Sequence, residues 1–187
     1  MPLLRALKRP NLSDDVRARL MALRDAMEAG SVETLAPLLL GETDPFVRET
    51  ALTYLARLDG AFPAQVLVRL MCEGETLLRN AAIETLGYLG ERAVDALASL
   101  MADAGADTDS RIYALTALEL IDSPRAAELA LEVALKDPDV NICAAAIDVV
   151  AGSGVREMAA ALDKVAARFP DQPYLAFAAS AAQRRLG

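Results

Sequence analysis

Apolar positions recur along this chain at two spacings at once. Within short stretches they fall three or four residues apart: Val47, Ala51, Leu52, Leu55 and Leu58, then Leu78, Ala82, Ile83, Leu86 and Leu89. Two later stretches repeat the rhythm, as Ala114, Leu115, Leu118 and Ile121 and as Ile142, Ala146, Ile147 and Val150. That interval keeps one face of an α-helix apolar and predicts a helix over each stretch. The stretches themselves also recur. Residues 17, 48, 79, 111 and 143 hold equivalent places, in steps of 31, 31, 32 and 32. The small member of each series (Ala51, Ala82, Ala114, Ala146) keeps the same step. Small side chains let neighbouring helices approach closely, which stacked hairpins require.

Polar punctuation sets the phase. Four residues before each reference position stands a residue suited to cap a helix: Ser13, Asp44, Glu75, Asp107 and Asp139. Pro45 follows one of these acids, at a helix start where a missing N–H costs nothing, and Pro138 lies just before another. The acids also stand four residues before an arginine, as Asp44–Arg48, Glu75–Arg79 and Asp107–Arg111, which predicts ion pairs along the helix. Cys143 takes the arginine's place in the last repeat, so the last interface is expected to be more apolar than the others. Turns then break the pattern at Asp59-Gly60, Gly90-Glu91, Asp122-Ser123-Pro124 and Gly152-Ser153-Gly154.

A second helix follows each turn, with Pro63 and Pro124 near two of the starts. Its apolar face recurs as Leu35, Leu67, Leu97, Ala130 and Leu162 and as Leu38, Leu70, Leu100, Val133 and Val165. The chain therefore reads as an N-terminal segment (residues 1–12) and five two-helix repeats (residues 13–169). The repeats fall at about 13–41, 42–73, 74–104, 105–136 and 137–169, and residues 170–187 form a closing helix. In that helix Tyr174, Phe177 and Leu186 are expected to cover the last repeat.

The run Leu78-Arg79-Asn80-Ala81-Ala82-Ile83-Glu84-Thr85-Leu86-Gly87-Tyr88-Leu89-Gly90 resembles the HEAT-like repeats of bacterial HEAT-repeat proteins and phycobilin lyase subunits. The resemblance spans roughly residues 13–169. It implies an all-α, right-handed α-solenoid, an α-α superhelix of about five helical hairpins with a C-terminal capping helix. It also implies that the arginine at this phase links adjacent repeats, and that ligands lie along the concave side formed by the second helices.

Composition narrows the chemistry. The chain has no His, so it lacks the usual general base and the usual ligand of zinc and non-haem iron. The di-iron HEAT-repeat hydroxylases, which hold metal with His-Glu pairs, are excluded on that ground. No Gly-rich phosphate loop is present, and Cys72 and Cys143 have no metal-ligand spacing. Glu128 and Glu132 share a helix face and read as solvated surface. The formal net charge is −8 and there is no Trp, which argues against the basic, aromatic-lined groove of the HEAT-like DNA glycosylases. Arg5, Lys8, Arg9, Arg17, Arg19 and Arg24 make the first stretch locally basic, so the acidic excess lies beyond it. The N-terminus lacks the apolar core of a secretory signal and no run is long enough to span a bilayer, so a cytoplasmic protein is expected.

These readings lead to an expected non-enzymatic scaffold or adaptor that binds a protein, not nucleic acid or membrane, with no cofactor and no metal. A bacterial signalling partner is the context that the resemblance suggests. The expected contact strip is the non-core face of the second helices: Glu33, Gln65, Asp95 and Glu128 in one row, Arg69, Ser99, Glu132 and Lys164 in the next. Two other readings stand beside it, a chromophore-handling lyase-like subunit and a structural subunit of a larger complex.

Overall fold

The structure, a computed structural model, describes residues 7–9 and 11–187; the expected N-terminal segment (1–12) lies mostly outside the described residues. Every regular element among those residues is helical. The α-helices are α1 (Asp14–Ala29), α2 (Val32–Leu40), α3 (Pro45–Leu55), α4 (Phe62–Glu73), α5 (Thr76–Leu89) and α6 (Glu91–Ala102). They continue as α7 (Thr108–Glu119), α8 (Pro124–Lys136), α9 (Val140–Ser153), α10 (Ala159–Ala167) and α11 (Pro173–Leu186), with one 3-10 turn at Arg156–Met158. Among the described residues no helix is long and apolar enough to cross a membrane. The chain divides into two compact units, Met1–Arg92 and Ala93–Gly187.

In the first unit the odd helices form one layer and the even helices another. α1 packs on α3 and α3 on α5, while α2 packs on α4; α1 pairs with α2, and α4 meets α5. The second unit repeats this arrangement. There α7 packs on α9 and α9 on α11 in one layer, with α8 on α10 in the other, and α7, α9 and α11 each close against a helix of the opposite layer. Each unit is thus a stack of helical hairpins, the building principle of an α-solenoid.

The sequence dictates where the helices begin. Ser13, Asp44, Glu75, Asp107 and Asp139 all stand at N-cap positions, and each side chain accepts a backbone N–H from the first turn that follows. α1 ends at Gly30, whose φ of 65° is open to glycine at no steric cost. The small residues Ala51, Ala82, Ala114 and Ala146 are all fully buried.

Two expected apolar faces turn out rotated. Leu35, Leu67, Leu97, Ala130 and Leu162 are buried, but Leu38 is exposed and Leu100 only half-buried; Leu39 and Met101 take the core positions instead. In α2 and α6 the buried stripe follows the i, i+4 spacing, which selects the next residue along. The closing helix differs more. α11 buries Leu175, Ala179, Ala182 and Leu186, whereas Phe177 points outward with 71% of its surface exposed and Tyr174 is exposed, its hydroxyl reaching Asn141 of α9 at 3.5 Å. The Leu175–Leu186 stripe repeats over three turns and so wins over a stripe that holds the two large rings.

Candidate functional site

The arginines at the repeat phase organise the turns between hairpins. Two of them pair with acids farther along the chain rather than with the acids four residues before them, which differs from the expectation. Asp44 is occupied with the N–H groups of Phe46 (2.9 Å) and Val47 (3.3 Å), and Arg48 instead reaches forward to Glu75 (2.7 Å). The Arg48 Nε also donates to the Glu42 carbonyl at 2.6 Å. Arg79 donates to the carbonyls of Met71 (3.2 Å) and Gly74 (2.9 Å), and Arg111 pairs with Asp137. Capping does not exclude an ion pair, since Glu75 holds the N–H groups of Leu77 and Leu78 and the Arg48 guanidinium together.

Two buried carboxylates complete these turns. Glu42, 6% exposed, accepts from the N–H of Thr43 and of Asp44 and pairs with Arg19 at 2.6 Å. Asp137, also 6% exposed, accepts from the N–H of Asp139 at 2.9 Å and pairs with Arg111. The last interface is not simply apolar either. The Cys143 thiol donates to the Asp137 carbonyl at 3.3 Å, and Arg168, from the end of α10, donates to the carbonyls of Ala134 and Asp137. A guanidinium from a different helix thus fills the place that the sequence leaves empty.

Electrostatic effects follow from these contacts. The N–H of Leu77 and the Arg48 guanidinium hold the Glu75 carboxyl below its ordinary range. The backbone N–H and hydroxyl of Ser110 do the same for Asp107. Burial pushes the Cys143 thiol up, with Arg168 opposing. These are structural groups. Among the described residues no three His, Cys, Asp or Glu side chains come together as a metal site would require.

The expected second-helix residues lie on the surface, and several are engaged with one another. In the first unit Glu33 of α2 pairs with Arg69 of α4 at 2.7 Å, Arg69 also holds Glu73, and Gln65 is exposed. In the second unit Asp95 pairs with Arg125 of α8 at 2.6 Å, and the Ser99 hydroxyl donates to the Asp95 carbonyl. Glu132 pairs with Lys136 at 2.6 Å, while Glu128 and Lys164 are exposed. Ion pairs across hairpins account for much of this charge, so it contributes to stacking at the small value usual for exposed pairs.

A different feature of the first unit has the geometry of a binding site. Between α3 and α5 runs a groove of about 660 Å³. The α3 wall is made by Pro45, Arg48, Glu49, Leu52, Thr53 and, just past the helix, Ala56 and Arg57; the α5 wall is made by Leu77, Leu78, Ala81, Glu84, Thr85 and Tyr88. Leu52, Ala56 and Leu78 are buried and give an apolar floor. The Thr85 hydroxyl donates to the Ala81 carbonyl at 2.6 Å, which removes it from the groove's polar groups. Leu77 and Tyr88 stand at opposite ends, each with 73% of its surface exposed. Sequence reasoning missed this site because it assigned one apolar stripe to α5. A second stripe was present, in Leu77, Ala81 and Tyr88, offset from the core set Leu78, Ala82 and Leu89.

A comparison with curated proteins found none that matches the chain. A comparison with family models matched HEAT repeats over residues 32–108, a stretch that begins in the first hairpin and contains both walls of the groove. HEAT repeats commonly serve as scaffolds for protein interaction. The matched stretch, the helix caps that keep its phase on either side, and the paired layers of both units agree in one respect: residues 32–108 are similar to HEAT repeats, and the same hairpin pattern recurs in both units.

Proposed function

We propose that this protein is a non-enzymatic protein-binding scaffold and that its partner docks in the groove between α3 and α5. The observation that carries this reading is the exposure of Leu77 and Tyr88 at the two ends of an apolar trough. Single exposed apolar residues are ordinary on a protein surface. Two large ones that flank a concave apolar floor are what interaction sites present. The second-helix strip is the weaker site, since its Glu33, Arg69, Asp95 and Glu132 already have ionic partners.

The test is affinity capture from source-cell lysate with three forms of the full chain. Leu77→Glu with Tyr88→Glu changes only exposed positions, so folding is expected to survive within about 0.5 kcal/mol. That double variant is expected to lose a partner which the unaltered chain retains. Asp95→Lys with Glu128→Lys is expected to retain it. Retention by the first variant and loss by the second would move the docking site to the second helices.

A further inference from the structure

The chemistry of the same groove specifies its occupant. We propose that the α3–α5 groove takes a three-turn amphipathic helix of a partner protein, bearing Lys or Arg beside its apolar stripe and an acidic residue at one end. The inference rests on the docking reading of this groove and goes beyond it in naming the partner's conformation and charge.

Length comes first. From Leu77 to Tyr88 the α5 wall rises about 16 Å, at 1.5 Å per residue, which is three turns of a bound helix. Shape agrees with length. The lining positions recur every three or four residues on both walls, so they form ridges between which a third helix can seat its own.

Hydrogen bonding then separates a helix from an extended peptide. The walls are helices whose backbone groups are already paired within them, and the floor is Leu52, Ala56 and Leu78. An extended segment laid on such a floor would bury N–H and C=O groups with nothing to meet them, at a cost of several kcal/mol in total. A helix satisfies its own backbone and offers only side chains.

Charge sets the last requirement. Arg48 is neutralised by Glu75 at 2.7 Å. Glu49 on one wall and Glu84 on the other are exposed, and among the described residues neither forms an ion pair. Arg57 is the cation left over among the lining residues, at the Tyr88 end. Glu49 and Glu84 therefore call for basic residues along the flanks of the incoming helix, and Arg57 for an acid at its end. Like charges in those places would be repelled.

The absence of Trp from this chain makes the test direct, because a single Trp in a peptide then reports binding by itself. Three synthetic peptides of roughly 20 residues, beyond the length at which isolated helices are marginal in water, share one Leu-rich stripe. One has Lys flanks and a terminal Glu, one has the charges reversed, and one is the Lys peptide with a central Pro. Titrated into the full chain, the Lys helix is expected to bind at least tenfold more tightly than the other two. Glu49→Lys with Glu84→Lys is expected to reverse the preference between the two helical peptides, while the same charge change at Asp95 and Glu128 leaves it alone.

Equal binding of the two helical peptides overturns the inference. So does binding of the Pro peptide as tightly as the Lys helix, which would indicate an extended occupant. A preference that follows Asp95 and Glu128 overturns it as well, since net charge alone would then be at work. If no peptide binds but Leu77→Glu with Tyr88→Glu still abolishes partner capture, the docking site stands and the helical, basic occupant falls.

Discussion

Asp137→Ala removes one carboxylate that holds a turn of the second unit together. Two contacts disappear: the ion pair with Arg111 and the acceptor for the N–H of Asp139. A hydrogen bond to a charged group contributes about 1.5–3 kcal/mol and a neutral one about 1 kcal/mol. Breaking one partner from a buried ion pair costs about 3–5 kcal/mol because the remaining charge is stranded. Here the Asp137 side chain is 4% exposed but that of Arg111 is 18%, so water reaches the guanidinium and the cost falls at the low end, about 3 kcal/mol. Asp137→Asn keeps an acceptor for Asp139 and a neutral partner for Arg111, and is expected to lose about half as much. Urea unfolding gives the totals. Hydrogen exchange at α7, α8 and α9 gives the location, with opening increased about a hundredfold for the Ala variant. A loss below about 1 kcal/mol for Asp137→Ala, or equal losses for the two variants, would refute the assignment of this pair as a structural clamp.

Three further outcomes follow from the same geometry. Asp44→Ala deletes the acceptor for Phe46 and Val47 and is expected to cost about 1 kcal/mol in urea unfolding; no measurable loss would mean that the cap is dispensable. The Glu75 carboxyl is held below its ordinary value, first by the Leu77 N–H, so its contribution to stability is present above the unfolded value of about 4.3 and is lost as pH falls through the lower folded value. Glu75→Gln is accordingly expected to flatten the acid limb of a plot of urea midpoint against pH, and an unchanged limb would contradict the assignment. Burial raises the Cys143 thiol while Cys72 is partly exposed, so a thiol reagent is expected to label Cys72 first in the folded protein; equal rates would contradict the buried environment of Cys143.

The periodic part of this structure was legible in the sequence because it depends on backbone geometry. Ser13, Asp44, Glu75, Asp107 and Asp139 act as caps wherever a helix must begin, and Ala51, Ala82, Ala114 and Ala146 are buried at the same phase of each repeat. Side-chain choices among near-equal options were not legible. Arg48 can reach Asp44 behind it or Glu75 ahead, and spacing alone favours the nearer acid; the structure takes the farther one, although both acids cap a helix, because only the fold brings Glu75 within reach. Arg168 lies 25 residues beyond Cys143, too far for any pattern to join them, yet the fold brings its guanidinium 3.6 Å from the thiol sulfur. Of the three residues expected to cover the last repeat, Leu186 is buried, while Tyr174 and Phe177 stay exposed because the Leu175–Leu186 stripe has the better periodicity.

The groove escaped sequence reading for a related reason. On α5 the stripes Leu78–Ala82–Leu89 and Leu77–Ala81–Tyr88 sit side by side, and a helix apolar over so wide an arc reads simply as well buried. Only the position of α3 shows that one stripe faces the core and the other lines a trough. The second-helix strip rests on the opposite expectation, that aligned polar residues are available for a partner. Glu33 with Arg69, and Asp95 with Arg125, show how readily neighbouring hairpins take up such charge themselves.

Site-specific photocrosslinking tests the docking groove most directly. A benzophenone amino acid placed at Thr53, on the exposed rim of the α3 wall, or at Glu128, on the exposed face of α8, marks whatever lies against each surface. With the partner seated between α3 and α5, it is expected to crosslink from position 53 and not from position 128. A crosslink from position 128 with none from position 53 would contradict that placement.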